Sequence, residues 1–180
     1  MDDTSEQAKK VLTEIVHAAG GRLSGTVRLY KAFYFAHLYY WRRKNALLTM
    51  HPIVRMPHGP GVHNGERLLQ ELVEEGELRV TAEPIGPYEQ TVYEAARPFE
   101  VQPDDPCYQA IREAVDFVEG RTAAELSELT HEYSRSWRAA ADGEELSIYL
   151  DVLDDREYET LRSRLERAQT LVDAAFAPHA

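Results

Sequence analysis

A chain of 180 residues, 43% hydrophobic and 9% aromatic, is long enough for one domain with an ordinary core and too apolar to be disordered by composition. Cys107 is the only cysteine, which excludes an internal disulfide and a cysteine-built zinc site and suits a reducing cytosol. The net charge of −11 argues against a phosphate backbone as partner, the start "MDDTSEQAKK" lacks the basic and apolar regions of a signal peptide, and no apolar stretch approaches the ~18 residues of a membrane span.

The charge is uneven. Residues 1–60 hold nine Lys or Arg against four Asp or Glu, and residues 61–180 hold eleven against twenty-seven. The first third therefore carries either a local basic patch or the ordinary solvated charge of helix faces.

In chain order, Thr4-Ser5-Glu6-Gln7 has the spacing of a capping box, and Val11, Leu12, Ile15, Val16 and Ala19 follow at helical intervals until Gly20-Gly21. A second helix is predicted over 26–44. Leu29, Phe33, His37 and Tyr40 form one stripe and Tyr30, Tyr34, Leu38 and Trp41 the next, a face wide enough for burial on most sides. Residues 52–56 read as a short strand, and the glycine-rich "PHGPGVHNGE" that follows reads as a loop. A helix is expected over 66–75, capped by Asn64 or the residue before it. Alternating strands are expected over 78–82 and 90–96, joined by a turn at Pro84-Ile85-Gly86-Pro87. Helix plus hairpin has the outline of a winged-helix tail.

The remainder reads as helices. Asp105-Pro106 is an N-cap with proline at the first helical position, and Ile111, Val115 and Val118 mark the inner face. Thr122-Ala123-Ala124-Glu125 is a second capping box. "SRSWRAAADG" is a short helix closed by Gly143. A long helix is expected over 154–177, with Tyr158, Leu161, Leu165, Ala168, Val172 and Ala175 at heptad spacing. That seam serves either packing on the same domain or self-association. The fold class is mostly α with a small β element (α+β): a compact multi-helix domain over 1–153 with a short strand and a hairpin, then a C-terminal helix over 154–180.

The chemistry of the glycine-rich loop is weak. Its glycine spacing misses the dinucleotide fingerprint, no Gly-Lys-Ser/Thr ends it, and Glu66 stands where a phosphate would sit. His51, His58 and His63 lie seven and five residues apart, without the i, i+4 spacing of a helical metal pair. Cys107 sits at a helix N-terminus, a place that lowers a thiol's pKa, but with no histidine nearby in sequence it reads as structural or incidental. No cofactor or metal is expected.

Three stretches, "LYKAFYFAHLYY", "HGPGV" and "LSELTHEYSRSW", in this order and at these distances, resemble the Panacea domain, the SocA-like antitoxin family. The matching residues are Lys31, Tyr34, Phe35 and Ala36, then Gly59 and Pro60, then Leu126, Leu129, Thr130, His131, Ser136 and Trp137. The turn here reads Gly-Pro-Gly-Val where the family has Gly-Pro-Val, and serine precedes Trp137. The resemblance implies a non-enzymatic protein-binding module of the bacterial or phage cytoplasm. Its partner would be a cognate toxin or, as for an adaptor, a Clp-type protease. The alternatives are a winged-helix-like DNA-binding regulator and a metal-dependent enzyme using His51, His58 and His63. Within the resemblance, His131 and Trp137 are expected to fasten the late helices to the helix of Lys31 and Tyr34. For His131 this needs a helix break near Thr130, because two residues past Leu129 is roughly 200° around a helix.

Overall fold

The computed structural model describes residues 3–98 and 102–175, with side chains to residue 172. The fold is mostly α with a small β component. In chain order the elements are α1 (Asp3–Ala18), β1 (Arg22–Ser24), α2 (Thr26–Lys44), β2 (Ile53–Met56), β3 (Gly59–Val62), α3 (Gly65–Glu74), β4 (Leu78–Ile85), β5 (Tyr88–Ala95), α4 (Pro106–Glu119), α5 (Ala123–Tyr133), α6 (Arg135–Ala139), α7 (Tyr149–Val152) and α8 (Asp155–Ala175).

Helix α2 is the axis of the core. Every residue from Leu29 to His37 is buried, as the double apolar stripe requires. It packs most extensively on α4 and is also covered by α1, α5 and β3. Burying a large side chain here is worth ~1.5–3 kcal/mol. The end of α2 is a left-handed Asn45 (φ 52°), whose N–H donates to the Trp41 carbonyl.

Side-chain caps form where a side-chain oxygen meets the first turn. Asp105 accepts from the Cys107 N–H at 3.0 Å. Both halves of the Thr122–Glu125 box are present. Ser134, which ends α5, accepts from the Trp137 N–H at 3.1 Å and starts α6. Two expected caps differ. Helix α1 already runs at Asp3, so Thr4 lies inside it and Gln7 bonds Asp3 instead. Asn64 stands at the start of α3 in a left-handed conformation (φ 50°), without a side-chain cap bond.

The β structure is larger than expected. The glycine-rich stretch is not an open loop: Gly59–Val62 pairs antiparallel with β2, Met56 opposite Gly59 and Ile53 opposite Val62. Beyond α6, Gly143 does not close the helix. Its N–H donates to Arg55 O, Arg55 N–H donates to Glu144 O, and Leu146 N–H donates to Ile53 O, so 143–146 runs beside β2 as a third line of backbone. The second sheet has the order β1-β5-β4. Strand β4 is exposed after Leu78 rather than half-buried, and Val80, Ile85 and Tyr88 stand in water.

Candidate functional site

The three stretches that carry the resemblance meet where α2, the β2–β3 hairpin and α5–α6 touch. Lys31 projects from the buried side of α2, and its Nζ donates to the Pro60 carbonyl at 3.0 Å. Only 1% of Lys31 is exposed, and burial brings its ammonium down to about 7. Gly59 has a φ of 99°, and a Cβ there would sit far inside van der Waals contact with Thr130 Oγ1 and Lys31 Nζ. The buried Thr130 hydroxyl donates to the Leu126 carbonyl at 3.0 Å. Lys31, Gly59, Pro60 and Thr130 thus form one joint, in which an α2 amine and an α5 hydroxyl close on a strand that has no side chain at that point.

A second joint lies further along α2. The Tyr34 hydroxyl donates to Asp151 Oδ2 at 2.9 Å. The same oxygen accepts from Ser134 Oγ at 3.0 Å and from Ser136 Oγ, while Asp151 Oδ1 accepts from the Ser136 N–H at 2.9 Å. Ser134 and Ser136 are buried. One carboxylate on α7 therefore ties α2 to the break between α5 and α6. Burial, then the neighbouring Asp151 charge, push the Tyr34 hydroxyl far above its usual range. Sequence reasoning named Tyr34 and Ser136 and missed Asp151. Its only local signal is an aspartate in a short amphipathic turn.

His131 and Trp137 pack elsewhere than expected. Helix α5 continues to Tyr133, so no break turns His131 toward α2. Its ring stacks on Trp137 instead, with centroids 4.1 Å apart and planes 17° from parallel. The Arg55 guanidinium lies 4.0 Å from the centre of the Trp137 ring, and Trp137 Nε1 donates to the Met56 carbonyl at 3.0 Å. The pair fastens α5–α6 to the end of β2. The link to α2 runs instead from Ser134 and Ser136 through Asp151 to Tyr34, and from Thr130 across Gly59 to Lys31. Phe35 belongs to neither joint: it turns toward α4, its ring 4.7 Å from Phe117.

The loop histidines do not converge. His51 Nε2 donates to the backbone carbonyl of His63 at 2.8 Å, the two rings are 6.4 Å apart, and His58 is exposed in the hairpin turn. No group of three or more His, Cys, Asp or Glu able to hold a metal ion occurs among the described residues. The Cys107 thiol is raised, chiefly by burial, against the lowering that a helix N-terminus alone would bring. Helix α3 presents Glu66 and Glu74 to solvent, and its Arg67 is bonded to Glu71 at 2.8 Å. No helix among the described residues is long and apolar enough to cross a membrane.

A cleft of about 370 Å³ lies between residues 47–53 and 145–149, with His37, Thr49, His51, Glu145 and Tyr149 in its lining. Burial lowers His37 to about 4, and both its ring nitrogens are bonded: Nδ1 to the Phe33 carbonyl at 2.8 Å and Nε2 to the Thr49 N–H.

A family model described as antitoxin SocA-like, Panacea domain, matches residues 29–138, well over half of the chain. The matched segment runs from the buried start of α2 into α6 and includes every residue of the Lys31 joint, whereas Asp151 lies beyond it. No curated protein and no solved structure matches the chain.

Proposed function

The chain belongs to the SocA-like antitoxin, Panacea domain family, and from that premise we propose that it neutralises a cognate protein toxin in the cytoplasm by binding it directly, without catalysis. The family match over 29–138 carries this reading. In it the motif residues act as fold determinants. Lys31, Gly59, Pro60 and Thr130 hold the hairpin, Tyr34 and Ser136 hold α7, His131 and Trp137 hold the end of β2, and Phe35 holds α4. The partner surface is then built from side chains outside these joints. Large apolar groups in water support it: Met50 is 67% exposed, Tyr133 68% and Leu171 72%.

Protein is the favoured partner over nucleic acid. The β4–β5 hairpin after α3 has a wing's outline, but the acidic outer face of α3 would meet phosphates with like charge. Self-association through residues 158–175 and delivery to a Clp-type protease are extensions of the same reading. The first draws support from Leu165 and Val172, which are 60% and 50% exposed on α8. The test is co-expression with the product of the adjacent reading frame, a tag on this chain, and light scattering of the eluted peak. A mass accounting for both chains is expected. Elution of this chain without the other overturns the reading.

A further inference from the structure

We propose that the free edge of β4 docks a second copy of this chain, the two β4 strands pairing antiparallel about a twofold axis at Thr81. Strand β4 ends the sheet order β1-β5-β4, and among the described residues no strand covers its other side. It is eight residues long, and Arg79 to Glu89 are all exposed. An unpaired strand of that length presents a row of backbone donors and acceptors to any strand that matches it.

The hydrogen bonds show which groups form that row. The Ala95 N–H donates to the Gly21 carbonyl at 2.9 Å, and the Thr91 carbonyl accepts from the Gly25 N–H at 2.8 Å, so these residues of β5 turn toward the β1 side. The Ala96 N–H donates to the Glu77 carbonyl at 2.9 Å, on the β4 side. Bonding alternates along an antiparallel strand. Glu94, Val92 and Gln90 therefore bond their register partners Arg79, Thr81 and Glu83. The alternate residues of β4, namely Leu78, Val80, Ala82 and Pro84, turn their backbone groups outward. Proline has no N–H, so Pro84 closes the row of donors.

A second β4 must set outward-facing residues opposite one another. An axis at Thr81 does so: Val80 meets Ala82 of the second copy, and Leu78 meets Pro84. The same axis sets Arg79 opposite Glu83 of the second copy, twice by symmetry. An axis at Arg79 would oppose two cations, an axis at Glu83 would oppose two anions, and axes at Val80 or Ala82 leave both charges unmatched. The neighbouring strands fit this register. Arg22 lies 3.7 Å and Arg79 3.9 Å from the Glu94 carboxylate, so Glu83 of the second copy continues a cross-strand row of alternating sign. On the other face, Val80 is 40% exposed beside the buried Tyr93, and Ala82 of the second copy covers it.

This pairing is independent of toxin binding and of the α8 seam. The full chain is followed by sedimentation velocity at roughly 10 to 200 micromolar, the range for a small, reversible contact. A dimer is expected. Arg79→Glu and Glu83→Arg should each weaken it about fivefold or more, because each opposes like charges twice. An equimolar mixture of the two variants should regain the dimer, since both cross-strand pairs are then of opposite sign. Thr81→Cys should cross-link to itself under mild oxidation several-fold faster than Val80→Cys. Residues opposite each other in a non-bonded pair lie about 4.5 Å apart, within reach of a disulfide, and Val80 has its counterpart two positions away. A chain that stays monomeric, a dimer that both charge variants leave intact, a mixture that does not reassociate, or equal cross-linking at Thr81 and Val80 overturns the pairing. Each of these results leaves the antitoxin reading standing, and a missing toxin complex leaves the β4 pairing standing.

Discussion

Tyr34 and Asp151, 117 positions apart, are joined by a hydrogen bond of 2.9 Å that fixes α7 to the central helix. Asp151 also holds both buried serines, so its loss orphans several polar groups at once. Asp151→Ala should cost about 2–4 kcal/mol and Tyr34→Phe about 1–2 kcal/mol. The double variant should fall short of the sum by more than about 0.5 kcal/mol, because the two share one bond. Urea denaturation of the cycle measures this, and strict additivity would mean that the bond carries nothing.

Gly59→Ala should destabilise by about 2–4 kcal/mol, combining a left-handed φ with overpacking against Thr130 and Lys31. Gly61→Ala provides the contrast. The atoms nearest its new methyl all belong to the flexible Met56 side chain, and its φ is not positive. Thermal melts of the two variants should rank Gly59→Ala clearly lower, and equal melts would show that the Lys31–Thr130 joint yields freely.

The buried Lys31 makes stability depend on pH in a defined direction. Its folded value of about 7 lies below the ordinary 10.5, so between them the unfolded chain binds a proton that the native chain does not. Stability from this group therefore rises as pH climbs through that window, and below about 7 the full cost of a buried charge is present. From pH 7 to 9 the wild type should gain on the order of 1–2 kcal/mol relative to Lys31→Met. Parallel denaturation curves at the two pH values check the slope. A difference that does not change with pH would place the ammonium in contact with water.

Trp137 is half-buried, so Trp137→Ala should cost about 2–3 kcal/mol, below the value for a fully enclosed tryptophan. Trp137→Phe keeps the stack and loses the bond to the Met56 carbonyl, about 1 kcal/mol. His131→Ala removes one stacked ring, also about 1 kcal/mol. Urea midpoints give the order. A His131→Ala variant less stable than Trp137→Ala would contradict the stack described here.

What was legible in the sequence followed from local chemistry. The double apolar stripe set α2 at 26–44, and the Asp105-Pro106 and Thr122–Glu125 signals started α4 and α5 where the structure has them. What was not legible depends on partners distant in the chain. Strand β1 has three residues and exists because β5 lies beside it. Strand β3 is Gly-Pro-Gly-Val, a composition depleted in strands, and is held by β2 and by the Lys31 amine. Four of the family-motif residues, Lys31, Gly59, Pro60 and Thr130, do meet in one joint. Yet nothing in their spacing told that His131 would stack on Trp137, or that an aspartate outside the motif would join Tyr34 to Ser136.

The central claim is that this chain silences a toxin by contact. The most direct measurement is growth of a bacterial host in which the product of the adjacent reading frame is induced alone, and then together with this chain. The account predicts arrest in the first case and restored growth in the second, with the two proteins recovered as one complex. Arrest that co-expression does not relieve, or relief with no complex formed, would contradict it.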